Sequence, residues 1–120
     1  MTENPLTRLH TLGQSVWYDN IGRGLLLSGG LRQMIEEDGV VGLTSNPSIF
    51  QKAIAESAEY DTDIQDLVVG GSTTDEILDS LMCHDVGMAA DLLRPVWEAS
   101  GTEDGWVSIE VAPSLALDAE

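Results

Sequence analysis

Cysteine is nearly absent from this 120-residue sequence: Cys83 stands alone. A single thiol forms no internal disulfide, and it excludes a cysteine-rich metal site. Cations are scarce too. Lys and Arg total 5 against 21 Asp and Glu, for a formal net charge of −16. Phosphate contacts need Lys and Arg, so nucleic acid is repelled, and an anionic membrane surface likewise. No apolar run is long enough to span a bilayer. The first ten residues, MTENPLTRLH, show neither the basic nor the apolar region of a secretory signal. The expected location is cytoplasmic. The acidity reads as a solvated outer face rather than a dedicated cation or basic-partner site.

What is present suits one globular domain. The apolar fraction is 42%, too high for global disorder. Asn4 before Pro5 reads as a capped helix start, with Leu6, Leu9 and Leu12 on one face and Gly13 ending it. SVWYDNI (15–21) follows as a first strand. Asn20 is a candidate cap for the next helical stretch, which Gly29 and Gly30 divide in two and Gly39 closes. VVGLT (40–44) is apolar on successive residues, as a parallel strand covered on both faces should be. Asn46-Pro47 opens another helix, with Ile49, Phe50, Ala53 and Ile54 inward. A polar stretch and the Gly70-Gly71 pair precede the longest helix, whose start carries a Thr73–Glu76 capping box. Its buried face holds Ile77, Leu78, Leu81, Met82, Met88, Ala89, Leu92 and Leu93, and Pro95 should kink or stop it. GWVSIEV (105–111) is a third strand, followed by Pro113. Trp17, Trp97 and Trp106 should pack between strands and helices.

Alternating strands and helices predict an α/β fold with a parallel sheet. Three parallel strands with apolar edges are a poor stopping point. A complete eight-stranded α/β barrel needs roughly 250 residues, so the expected unit is a single partial domain over 1–120, the N-terminal part of a (β/α)8 barrel.

Each strand delivers a polar side chain near its end: Asp19, Asn46 and Glu110. In barrels of this kind such tips face the active site. Each also has a plain structural reading. Asp19 can turn the chain into the next segment. Asn46 before Pro47 is a common helix cap. Glu110 lies between Ile109 and Val111, where turn chemistry gives no reason for a carboxylate. Burial there would raise its pKa, which suits proton transfer. Otherwise it needs a buried ion pair, and only Arg8, Arg23, Arg32, Lys52 and Arg94 could supply one.

At these residues NPLTRLHTLGQSVWYDNI, DGVVGLTSNPSIFQKAI and DGWVSIEVAPSLA resemble the N-terminal portion of a transaldolase, most nearly the longer bacterial type. The resemblance implies a (β/α)8 (TIM) barrel and a transferase of the non-oxidative pentose phosphate pathway. Such enzymes move a dihydroxyacetone unit between sugar phosphates through a Schiff base, with no metal or organic cofactor. By motif it implies that Asp19 is the acid/base for carbon–carbon cleavage and that Glu110 works through a water in making and breaking the imine. It further implies that Asn46 holds the substrate hydroxyls and that Thr44 supports the site. The family's nucleophile is a lysine on a strand after the SIEV strand, and its phosphate-binding arginines lie further on as well. Lys52, in IFQKAI, matches a family lysine that is not the nucleophile. The resemblance therefore implies that residues 1–120 alone are an inactive, truncated piece.

Other signals carry less. YDTDIQD starts like a calcium loop, but Asp66 stands at the glycine position and Ser72 at the bidentate glutamate position. GRG (22–24) starts like a dinucleotide fingerprint, but Leu27 stands where the third glycine belongs. Cys83-His84 lacks a second ligand pair and reads as a buried helical cysteine beside a half-exposed histidine. Met82 and Met88 read as core filler. Two non-enzymatic alternatives remain: an acidic interaction module using open half-barrel edges, and an acidic metal-binding or buffering protein. Oligomeric state is open.

Overall fold

A computed structural model describes residues 4–110 and Leu117. Among these residues the chain forms helix α1 (Pro5–Thr11), strand β1 (Val16–Tyr18), helices α2 (Arg23–Leu27) and α3 (Gly30–Asp38), and strand β2 (Val40–Leu43). Helices α4 (Pro47–Glu56), α5 (Asp61–Val69) and α6 (Thr74–Ala99) follow, then strand β3 (Trp106–Val107). The strands make one open parallel sheet in the order β1-β2-β3. This is the expected α/β architecture.

Local chemistry explains most boundaries. The Asn4 side chain accepts the Leu6 N–H at the start of α1, satisfying one of the orphan donors of a helix start. Thr73 and Glu76 exchange both bonds of a capping box. Gly39, in the left-handed region at φ 68°, closes α3. Gly105, at φ 86°, turns the chain into β3. A Cβ there would lie 2.5 Å from the Trp97 nitrogen, so only glycine fits.

The core sits on one face of the sheet. Ile21, Leu26, Leu31, Leu43, Phe50, Met82, Ala89 and Leu93 form its buried cluster, with Tyr18 and Val107 packed against it. All four β2 residues are buried. Alternation along the strands sends the neighbouring residues to the opposite face. There the register sets Trp17 opposite Gly42 and Gly42 opposite Trp106.

Several expectations do not hold. Trp17 and Trp106 are 41% and 51% exposed rather than enclosed; Trp97 is half-buried. Asn20 does not cap α2: Gly22 holds that position, and Asn20 Oδ1 accepts the Ile21 N–H. The polar stretch before Gly70 is itself a helix, α5. Pro95 does not stop α6; the helix runs on to Ala99. Pro95 has no N–H to offer the Asp91 carbonyl, and both residues are exposed. Cys83 is exposed, not buried, and so is His84. Strand β3 is shorter than the apolar run 105–111. Val111 and Pro113 lie outside the described residues.

Candidate active site at the strand tips

The three strands run parallel, so their C-terminal ends share one edge of the sheet. Thr44, Ser45 and Asn46 extend β2 past this edge, and each ties down a different element. The Thr44 N–H continues the ladder to the Tyr18 carbonyl at 2.9 Å. Its hydroxyl donates to Asp19 Oδ1 at 2.5 Å, a charge-assisted bond that fixes the carboxylate just past the end of β1. The Ser45 hydroxyl donates to the Ser108 carbonyl at 2.6 Å, joining β2 to the end of β3. The Asn46 Oδ1 accepts the Ile49 N–H at 2.9 Å. Asn46 thus caps α4, as its plain reading expects, and its amide nitrogen forms no hydrogen bond among the described residues.

Asp19 and Thr44 are brought into direct contact, and Asn46 stands two residues beyond Thr44. Glu110 departs from expectation. It lies past the end of β3 and is exposed rather than enclosed. No ion pair or hydrogen bond joins it to Asp19, Thr44 or Asn46 among the described residues. Trp106 of β3 and Ile109 beyond it are likewise exposed.

A cleft of about 500 Å³ lies beside Asp19, bounded by the loop through Asn20, Ile21 and Gly22 and by α4. Lys52 and Glu56 of α4 line it together with Asp19; Thr44, Asn46 and Glu110 do not. Lys52 is exposed.

The strongest electrostatic feature was not legible as a site. Arg23, Tyr60 and Asp85 are buried, at 6%, 1% and 0% exposure. Asp85 Oδ1 accepts from Arg23 Nε at 3.0 Å and Nη2 at 2.9 Å. Arg23 Nη1 also pairs with half-exposed Asp63. The Tyr60 hydroxyl donates to Asp85 Oδ2 at 2.5 Å and accepts the Arg23 backbone N–H at 2.9 Å, and the guanidinium carbon sits 4.5 Å from the Tyr60 ring centre. Burial pulls the Arg23 pKa down, but hydrogen bonds to Asp85 and Asp63 outweigh it, and the net shift is upward. Burial, then the bond to Asp85, pushes the Tyr60 phenol well above its usual range. This network anchors the start of α2, four residues after Asp19. A signal existed: Asp85 lies four residues from both Leu81 and Ala89, so it interrupts the apolar stripe of α6. Ser45 had no comparable signal beside its named neighbours. No group of three His, Cys, Asp or Glu able to hold a metal occurs among the described residues. No helix among them is long and apolar enough to cross a membrane.

An open parallel α/β sheet with polar groups at its C-terminal edge marks an α/β enzyme, whose chemistry sits at that edge. The chain belongs to the transaldolase/fructose-6-phosphate aldolase family, whose profile matches residues 16–120. Transaldolase 2 of Nostoc punctiforme is 48% identical over 120 residues, covering 100% of this chain and 32% of that protein. The transaldolase of Thermobifida fusca is 47% identical over 117 residues, covering 98% of this chain and 32% of that one. That of Mycobacterium marinum is 45% identical over 120 residues, covering 99% and 32%. The chain thus spans about a third of the length of these curated relatives.

Proposed function

We propose that residues 1–120 form the N-terminal third of a transaldolase, a partial domain that the remainder of a (β/α)8 barrel completes. The reaction transfers a dihydroxyacetone unit between ketose and aldose phosphates in the pentose phosphate pathway. A lysine outside these residues forms an iminium with the ketose. Asp19 takes the proton from the hydroxyl beside the breaking carbon–carbon bond. The bond's electrons flow into the iminium, leaving an enamine, and the aldose phosphate departs. Protonation of a new aldehyde oxygen by Asp19 closes the return path. Glu110 moves protons through a water as the imine forms and hydrolyses. Asn46 presents its amide nitrogen to the dihydroxyacetone hydroxyls, and Thr44 holds Asp19 in place. No cofactor takes part, and a cytoplasmic location goes with this chemistry. Residues 1–120 hold one lysine, Lys52, exposed on α4, so they are inactive by themselves.

The hydrogen bond from Thr44 to Asp19 carries this reading. It joins two motifs 25 residues apart at the end of the sheet where barrel chemistry takes place. The test is a chimera in which residues 1–120 replace the equivalent third of the Nostoc punctiforme protein. Incubation with fructose 6-phosphate and borohydride should trap a covalent adduct on the chimera and none on residues 1–120 alone. A folded chimera without an adduct, or an adduct on Lys52, overturns the assignment.

The exposed Trp17 and Trp106 favour a second reading, in which the open sheet pairs with another half-barrel. Sedimentation of residues 1–120 as a folded monomer removes it.

A further inference from the structure

We infer that Ser45 is a positioning residue for Glu110, an assignment that rests on the transaldolase reading above. Ser45 is 1% exposed, so its hydroxyl reaches no substrate. That hydroxyl is committed to the Ser108 carbonyl at 2.6 Å. Ser108 is held on its other side as well, by its N–H to the Leu43 carbonyl at 2.9 Å. In a regular parallel ladder the donor to the Ser108 carbonyl would be the Ser45 backbone N–H. Here the side chain supplies the proton instead, and the ladder ends as a regular structure at Val107.

The position of this bond gives it consequence. Beyond Ser108, no hydrogen bond among the described residues holds Ile109 or Glu110. Ile109 is 44% exposed, and Glu110 is exposed as well. Among the described residues the Ser45 bond is therefore the last tie before the carboxylate. It sets the orientation of the peptide leading to Ile109, and so the direction in which Glu110 leaves the sheet. Thr44 and Asn46 hold β1 and α4, so the three consecutive residues divide the work. Ser45 acts on β3 alone.

The experiment combines the 120-residue chain and the chimera. In the chain, Ser45→Ala should raise the backbone mobility of Ile109 and Glu110 in amide relaxation, with Asp19 and Phe50 unchanged; no change at 109–110 overturns the inference whatever the activity. In the chimera, Ser45→Ala should slow borohydride-trappable imine formation by about tenfold per folded site, since small misplacements of a reacting group are costly. KM should stay within about twofold, as expected when ground-state binding is untouched. Ser45→Thr, which keeps the hydroxyl, should restore the rate. Ser45→Ala combined with Glu110→Gln should lose no more than Glu110→Gln alone, because both act through one carboxylate. Additive losses, or an equal loss in Ser45→Thr, overturn the positioning role while leaving the transaldolase reading intact. An inactive parent chimera overturns both.

Discussion

The Tyr60 hydroxyl donates a 2.5 Å hydrogen bond to Asp85 Oδ2 and uses the same oxygen to accept the Arg23 backbone N–H. One phenol therefore links α5, α6 and the first turn of α2. Tyr60→Phe keeps the ring under the guanidinium and removes both bonds, leaving a buried carboxylate oxygen unmet. A buried acceptor that loses its donor costs about 1–3 kcal/mol and more when charged, so the upper end is expected. Urea unfolding of the 120-residue chain should show that loss as a lower midpoint at unchanged slope. Asp85→Ala should cost more, about 3–5 kcal/mol, because Arg23 then stays buried without its main partner.

The same phenol sets an alkaline limit on stability. Its pKa is raised in the folded chain above the ordinary value of 10.0 by burial and by Asp85. A group with a raised folded pKa contributes its full stabilisation below the unfolded pKa, and that stabilisation fades as pH climbs toward the folded value. Thermal midpoints should hold steady through neutral pH and fall from about pH 10 upward. In Tyr60→Phe the alkaline fall should be shallower. A Tyr60→Phe curve parallel to wild type across pH 9–12 would contradict the assignment.

These two effects were invisible in the sequence for a physical reason. Arg23 and Asp85 lie 62 residues apart, and no local pattern says which cation meets which carboxylate. Asp85 on the apolar stripe of α6 shows that a buried charge is present but not its partner. Elements governed by neighbouring residues were legible: the Asn4 and Thr73 caps, the Gly39 stop and the wholly buried β2. Helix α5 was not, because it buries no residue and so carries no strong apolar face to read. At the site, Asp19 and Asn46 were legible as polar residues at strand ends, whereas their proposed roles, and Thr44 altogether, came from the transaldolase resemblance. The exposure of Glu110 does not follow, since burial of a strand's last residues depends on what packs over them. The apolar residues of 105–111 suggested enclosure, yet Trp106, Ile109 and Glu110 are all exposed.

Gly42 tests the open face. A Cβ there would lie 2.3 Å from Trp17 Cε2, too close for any side chain. Gly42→Ala should push the indole off the sheet. The Trp17 indole N–H resonance should move while that of Trp97 stays put. Overpacking of this kind costs about 1–3 kcal/mol. Relief is easier here because Trp17 is partly exposed, so the low end is expected in denaturant titrations.

Asn46 separates capping from catalysis. Its Oδ1 caps α4, while its amide nitrogen is the group proposed to meet substrate. Asn46→Ala removes both functions and should lower stability by about 1 kcal/mol, the usual cost of a lost cap. Asn46→Asp keeps an equally good capping oxygen, and it places negative charge at a helix N-terminus, where the dipole favours it. Stability of the 120-residue chain should therefore be unchanged or slightly higher. The aspartate cannot donate to a substrate hydroxyl as the amide does. In the chimera kcat/KM should fall by about tenfold or more, the equivalent of one lost hydrogen bond. Calorimetry and steady-state rates on the same two variants decide the matter. If Asn46→Asp keeps full activity, Asn46 is a cap and nothing else, and the substrate hydroxyls must find their donor on another strand.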